Sequence, residues 1–132
     1  MRIAQGLYES GFITYMRTDN VGLSEDAIAA VRSEITNIYG ASFVPAEPRA
    51  YKSKVKNAQE AHEAIRPTLP LRSPDSLRSE LNATELNVYR LIWQRTLGSQ
   101  MGDANGTTLT LRLSAEARGA STEIADCEFS AS

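Results

Sequence analysis

The sequence predicts a mainly α fold, with a compact orthogonal helical domain over residues 1–102 that carries a short β-hairpin or wing, and a C-terminal β-hairpin over residues 103–132. Three observations predict it. Two segments, 24–40 and 82–102, repeat apolar residues at helical spacing between recognisable caps. Residues 49–56 alternate with a period of two, as a strand does. Beyond Gly102 the longer period gives way to alternation in two short runs, which need further strands because isolated hairpins are marginal.

Each element has its own local cause. Ile3, Leu7 and Tyr8 recur at helical spacing, and Gly11 ends that pattern in the left-handed conformation open to it. Residues 12–14 are aromatic and β-branched, which favours a short strand delivering Tyr15 at its end. Ser24 is an N-cap, with Glu25 and Asp26 on the positive end of the helix dipole and Leu23 placed to staple onto Ile28. The buried stripe of that helix reads Ala27, Ile28, Val31, Ile35 and Ile38, and Gly40 closes it. Residues 41–48 are loop-like; 59–66 predict a short helix stopped by Pro67, and Ser73-Pro74-Asp75 starts another. The longest helix begins at Asn82, with Glu85 at the capping-box position, and runs through Tyr89 and Trp93 to about Met101. Leu109, Leu111 and Leu113 alternate in one terminal strand and Ala125, Cys127 and Phe129 in the other.

Composition narrows the function classes. A chain of 132 residues can bury a modest core, and its formal charge of −2 argues against a wholly basic nucleic-acid coat. The single cysteine, Cys127, forms no internal disulfide and suits a reducing cytosol. No apolar run approaches the roughly 18 residues of a membrane span, and no charged-then-apolar leader opens the chain. A soluble intracellular protein without membrane contact is therefore expected. The chain also opens without a lead-in and closes without a cap, which predicts a part cut from a longer protein.

The chemistry concentrates in two stretches. In Ile13-Thr14-Tyr15-Met16-Arg17-Thr18-Asp19-Asn20, Tyr15 and Arg17 stand two apart on an extended segment and so face the same side. A phenol with a pKa of about 10 needs a base or a nearby positive charge to become a nucleophile, and Arg17 supplies such a charge together with a fork for phosphate oxygens. Tyr-x-Arg alone has no specificity; as an amphipathic aromatic beside a solvated arginine it is commonplace. The second stretch, Ala61-His62-Glu63-Ala64-Ile65-Arg66-Pro67, holds the sole histidine, with Arg66 one helical turn on. A zinc-protease reading fails, because that position is Arg66 and not histidine. Arg49, Lys52, Lys54 and Lys56 make a basic run around Tyr51, suited to a nucleic-acid backbone or equally to guarding a sheet edge. No metal-ligand set stands out.

Read together, the two stretches resemble the type IA DNA topoisomerases, and the bacterial topoisomerase I branch in particular. Residues 13–20 are similar to that family's active-site segment, with Asn20 where serine is usual, and residues 58–68, AQEAHEAIRPT, to its second signature. Met16 and Glu63 make this branch closer than topoisomerase III or reverse gyrase. Leu91-Ile92-Trp93-Gln94-Arg95-Thr96 and the following Thr107-Thr108-Leu109 fit the family's order, so the resemblance covers nearly the whole chain. It implies that Tyr15 attacks one DNA strand and becomes joined to a 5′-phosphate, that Arg17 stabilises the phosphate, and that His62 positions it. Arg49, Lys52, Lys54, Lys56 and Arg66 would then contact DNA. The resemblance further implies that Mg²⁺ is held by a Toprim domain absent from these residues, with no cofactor in the fragment itself. Residues 1–102 would be the mobile gate domain and 103–132 part of a neighbouring β-rich arch, working with the remaining domains of a monomeric, cytoplasmic, nucleoid-associated enzyme that relaxes negative supercoils. The alternative is a non-catalytic winged-helix-like DNA-binding module with residues 49–56 as its wing.

Overall fold

The computed structural model describes residues 1–17, 20–51, 62–115 and 127–131. They form two compact units, Met1–Gly102 and Asp103–Ser132. The first is helical, as expected.

Helix α1, Arg2–Glu9, buries only Leu7. It ends in a reversal at Gly11, whose φ of 77° any Cβ would strain, and the Phe12 N–H reaches back to the Leu7 carbonyl at 2.8 Å. The strand expected over residues 12–14 is reduced to a single antiparallel bridge, Ile13 opposite Pro67. Thr14 N–H donates to the Arg66 carbonyl and Thr68 N–H to the Phe12 carbonyl, flanking the pair. Proline is accommodated here because the bridge is the non-hydrogen-bonded kind, in which its missing N–H points away from the partner. On one side the Gly11 turn prevents extension.

Helix α2, Glu25–Tyr39, starts where Ser24 Oγ accepts the Ala27 N–H and ends at Gly40, φ 99°. Its inward face is Ala27, Val31 and Ile35. Ile38, expected in that stripe, is 46% exposed, because it falls in the last turn before the Gly40 reversal. Arg32 ties the following loop to the helix through the carbonyls of Pro45 and Ala46.

Two expectations are corrected further along. The described part of the predicted strand 49–56 is not a strand: the buried side-chain amide of Gln100 donates to the Arg49 carbonyl at 2.9 Å and accepts its N–H at 3.2 Å. That occupies the peptide edge a partner strand would use, and Tyr51 Oη completes the docking on the Ser99 carbonyl. Lys52, Lys54 and Lys56 lie outside the described residues. The helix predicted over 59–66 is likewise not formed over residues 62–66. Pro67 disfavours the helical conformation at Arg66, and the N–H groups of Ala64 and Arg66 are claimed by Gly22 O and Thr14 Oγ1 instead. Residues 59–61 fall outside the described part.

Ser73-Pro74 starts only a 3-10 turn, Pro74–Leu77, capped by the Ser73 hydroxyl. Helix α3, Ala83–Ser99, has the predicted capping box in full: Asn82 Oδ1 accepts the Thr84 and Glu85 N–H groups, and Glu85 accepts that of Asn82. It stops at Ser99, short of the expected Met101. The core gathers Leu7, Ile13, Val31, Ile35, Leu77, Leu81, Tyr89, Trp93 and Leu97, all from the first unit. Tyr89 places its hydroxyl on the Arg72 carbonyl at 2.8 Å, and burial pushes its phenol up to about 12. In the second unit β1, Leu111–Ala115, pairs antiparallel with β2, Cys127–Ala131, with Leu113 opposite Phe129.

Candidate active site

Tyr15 follows directly from the best-anchored short segment of the fold. Ile13 is buried in the core, and the Thr14 hydroxyl donates to the Ala64 carbonyl at 2.8 Å while accepting the Arg66 N–H at 2.9 Å. Those bonds join residues 13–15 to residues 64–67. Ala64 in turn donates its N–H to Gly22 O, binding a third stretch to the pair. The two sequence stretches are therefore one structure.

At its centre the half-buried Tyr15 ring is bracketed by aromatics. Tyr8 from α1 meets it edge-on at 5.1 Å between centroids, and His62 lies against it at 5.0 Å, tilted by 44°. The guanidinium carbon of Arg17 stands 5.7 Å from the same ring centroid. A cation over a π face is held electrostatically, so Arg17 is kept beside the phenol while its outer N–H donors can still reach a ligand. Among the described residues neither the Tyr15 hydroxyl nor the His62 ring has a hydrogen-bond partner within the chain. Both are thus available to a substrate.

Behind His62 lies a charged brace. Arg66 is buried, and its fork grips Glu63 through two bonds of 2.7 Å while its third nitrogen donates to the Pro67 carbonyl at 2.8 Å. Glu63 Oε1 also accepts the N–H and hydroxyl of Ser24, each at 2.8 Å, at the start of α2. Burial pushes the Glu63 carboxyl up, but the hydrogen bonds from Arg66 and Ser24 and the Arg66 charge outweigh it and hold the group below its usual range. Arg66, expected on DNA, therefore turns inward here, and its one-turn helical relation to His62 does not exist.

Asn20, Gly22, Leu23, Ser24, His62 and Glu63 line a cavity of about 400 Å³. Asn20 Oδ1 accepts the Gly22 N–H at 2.8 Å, an Asx-type turn so close that a Cβ on Gly22 would come within 3.3 Å of that oxygen. Among the described residues no three His, Cys, Asp or Glu side chains could share a metal ion, and no helix is long and apolar enough to cross a membrane. The helical spacing of Tyr8 reads in the sequence as ordinary packing, and no local signal marks it as a neighbour of Tyr15. Ser24 reads as a cap alone, whereas its hydroxyl serves Glu63 as well.

The chain as a whole is similar to known proteins. A family model described as DNA topoisomerase matches residues 1–131. The DNA topoisomerase 1 of Mycolicibacterium smegmatis is 56% identical over 118 residues, covering 89% of this chain and 13% of that protein. That of Streptomyces coelicolor is 49% identical over 136 residues, covering 100% of this chain and again 13% of the relative. Among solved structures, full-length topoisomerase I from Thermotoga maritima is 39% identical with a TM-score of 0.60, covering 76% of this chain and 16% of that one. The chain thus spans only a small part of the length of the relatives it matches.

Proposed function

This chain belongs to the DNA topoisomerase family whose bacterial members include DNA topoisomerase 1, and from that membership and the Tyr15 cluster we infer that it is the tyrosine-carrying part of a type IA enzyme. The observation that carries this reading is the contact of Tyr15 with His62, from the other stretch, at 5.0 Å, with Arg17 over the same ring. A nucleophile, a permanent cation and an imidazole meet beside an open cavity.

In the reaction, the Tyr15 oxygen loses its proton and attacks the phosphorus of a single DNA strand. The bond from phosphorus to the 3′-oxygen breaks, that oxygen leaves as a hydroxyl after taking a proton, and the 5′-phosphate remains on the tyrosine. One phosphate ester replaces another, so religation needs no nucleotide cofactor. Arg17 stabilises the charge building on the phosphate oxygens, and His62 donates to a phosphate oxygen or holds the sugar. Glu63 and Arg66 act through position, fixing the segment that carries His62. Arg49, Lys52, Lys54 and Lys56 would track the backbone of the strand. Mg²⁺, when bound to acidic residues of a Toprim domain outside this chain, would supply further positive charge to the phosphate.

The unit Met1–Gly102 would serve as the gate that lifts after cleavage to admit a strand, with residues 103–132 as part of a β-rich arch domain. The parent enzyme would work as a monomer in the cytoplasm, at the nucleoid, relaxing negative supercoils. The test uses that longer protein: Tyr15→Phe removes only the hydroxyl and should abolish plasmid relaxation while leaving the fold and single-strand binding intact. Undiminished relaxation by the variant contradicts the assignment. The isolated 132-residue chain should leave plasmid supercoiled, since half of the site is elsewhere, and appreciable relaxation by it would contradict the two-part site.

A further inference from the structure

A second cavity, of about 350 Å³, shares Asn20 and Leu23 with the one beside His62 but runs to the C-terminal end of α3. Its volume is at the lower end of the range for small-molecule sites. Its walls are mostly carbon, from Val21, Leu23 and Ile65, and its polar equipment is sparse and distinctive. Tyr51 contributes a ring that is 46% exposed yet fixed in place, because its hydroxyl is bonded to the Ser99 carbonyl at 2.8 Å. Arg95 lines the same cavity, is exposed, and has no hydrogen bond or ion pair among the described residues. Asn20 spends its carbonyl oxygen on Gly22 N–H, and its NH₂ has no partner among the described residues.

We propose that this cavity holds one unstacked base of the cleaved strand, next to the scissile phosphate, with Arg95 on the backbone phosphate of that nucleotide. The proposal rests on the single-strand cleavage read above. A fixed exposed aromatic beside carbon walls is what a base leaving its stack requires, and every base presents a π face. A guanidinium without a partner among the described residues, at the same opening, matches the negative charge that accompanies each nucleotide and nothing in an apolar ligand. Continuity through Asn20 with the cavity beside His62 places the occupant on the strand that meets Tyr15. The Asn20 NH₂ offers its two N–H donors to the base edge, which makes Asn20 the residue that sets a preference for bases with an acceptor there. A paired base in a duplex cannot enter, so the pocket selects single strands.

The experiment titrates the 132-residue chain with a short single-stranded oligonucleotide and with a series in which one nucleotide at a time is abasic. One abasic position should weaken binding by roughly 5- to 100-fold, and the others much less. Val21→Trp, which fills the opening from a residue 48% exposed, should weaken binding of the intact strand and erase the abasic difference. Arg95→Ala should lower affinity and reduce the salt slope by about 0.7. Binding that is indifferent to every abasic position, or to Val21→Trp, overturns the pocket while leaving the cleavage reading intact. No binding of any oligonucleotide also overturns the pocket, whereas the cleavage reading falls only if Tyr15→Phe leaves relaxation by the longer protein undiminished. Amide shifts at Val21 and Ser99 that follow protein concentration without DNA would make this a self-association face, and overturn the proposal.

Discussion

At the scale of single residues, Glu63 braces the segment that carries His62. Its carboxylate holds Arg66 on one side and the start of α2 on the other. A carboxyl held below its usual range contributes stability that is fully present above the unfolded pKa, near 4.5, and is lost as pH falls through the folded value. Glu63→Gln should therefore cost about 1–2 kcal/mol at neutral pH and flatten the loss of stability below about pH 4.5, as read from urea midpoints across pH. A variant with the wild-type acid profile would show that the brace carries no charge-dependent stability. The residue types of the cluster were legible in the sequence: Tyr15, Arg17 and His62 stood out as chemistry-bearing groups, and the geometry brings all three together. The inward turn of Arg66 was not legible, because an arginine in a sequence looks the same whether its fork meets a phosphate or a carboxylate three residues away.

At the scale of elements, caps were the most readable signals. Ser24 and Asn82 begin α2 and α3 where expected, since each side chain satisfies N–H groups the helix cannot. Asn82→Ala removes both of its cap bonds and should cost about 1 kcal/mol in chemical denaturation. At Gly40 a Cβ would meet nothing within 4 Å, so Gly40→Ala tests backbone conformation alone. Its φ of 99° predicts a loss of about 1 kcal/mol, and an unchanged midpoint would remove the argument from strain. The failures at residues 49–51 and 62–66 share one cause. Alternation and helical spacing describe where side chains point, but Gln100, Thr14 and Gly22 capture the peptide groups those segments would need for a ladder or a helix. Capture by residues tens of positions away leaves no local trace.

At the scale of the whole molecule, the core found among the described residues lies within Met1–Gly102, and the Tyr15 cluster is assembled on its surface from α1, the Ile13 bridge and the segment before Pro67. The change of period past Gly102 was visible in the sequence, and a hairpin of β1 and β2 is found there. The central claim is that Tyr15 is the group that becomes joined to DNA. The measurement is made on the longer protein containing this sequence: a single strand is cleaved, the reaction is stopped with denaturant, the protein is digested, and the DNA-linked peptide is sequenced by mass spectrometry. If Tyr15 is the nucleophile, the peptide containing Tyr15 carries a 5′-phosphate, the released strand ends in a free 3′-hydroxyl, and Tyr15→Phe gives no adduct. An adduct on another residue, or one that survives Tyr15→Phe, would contradict it.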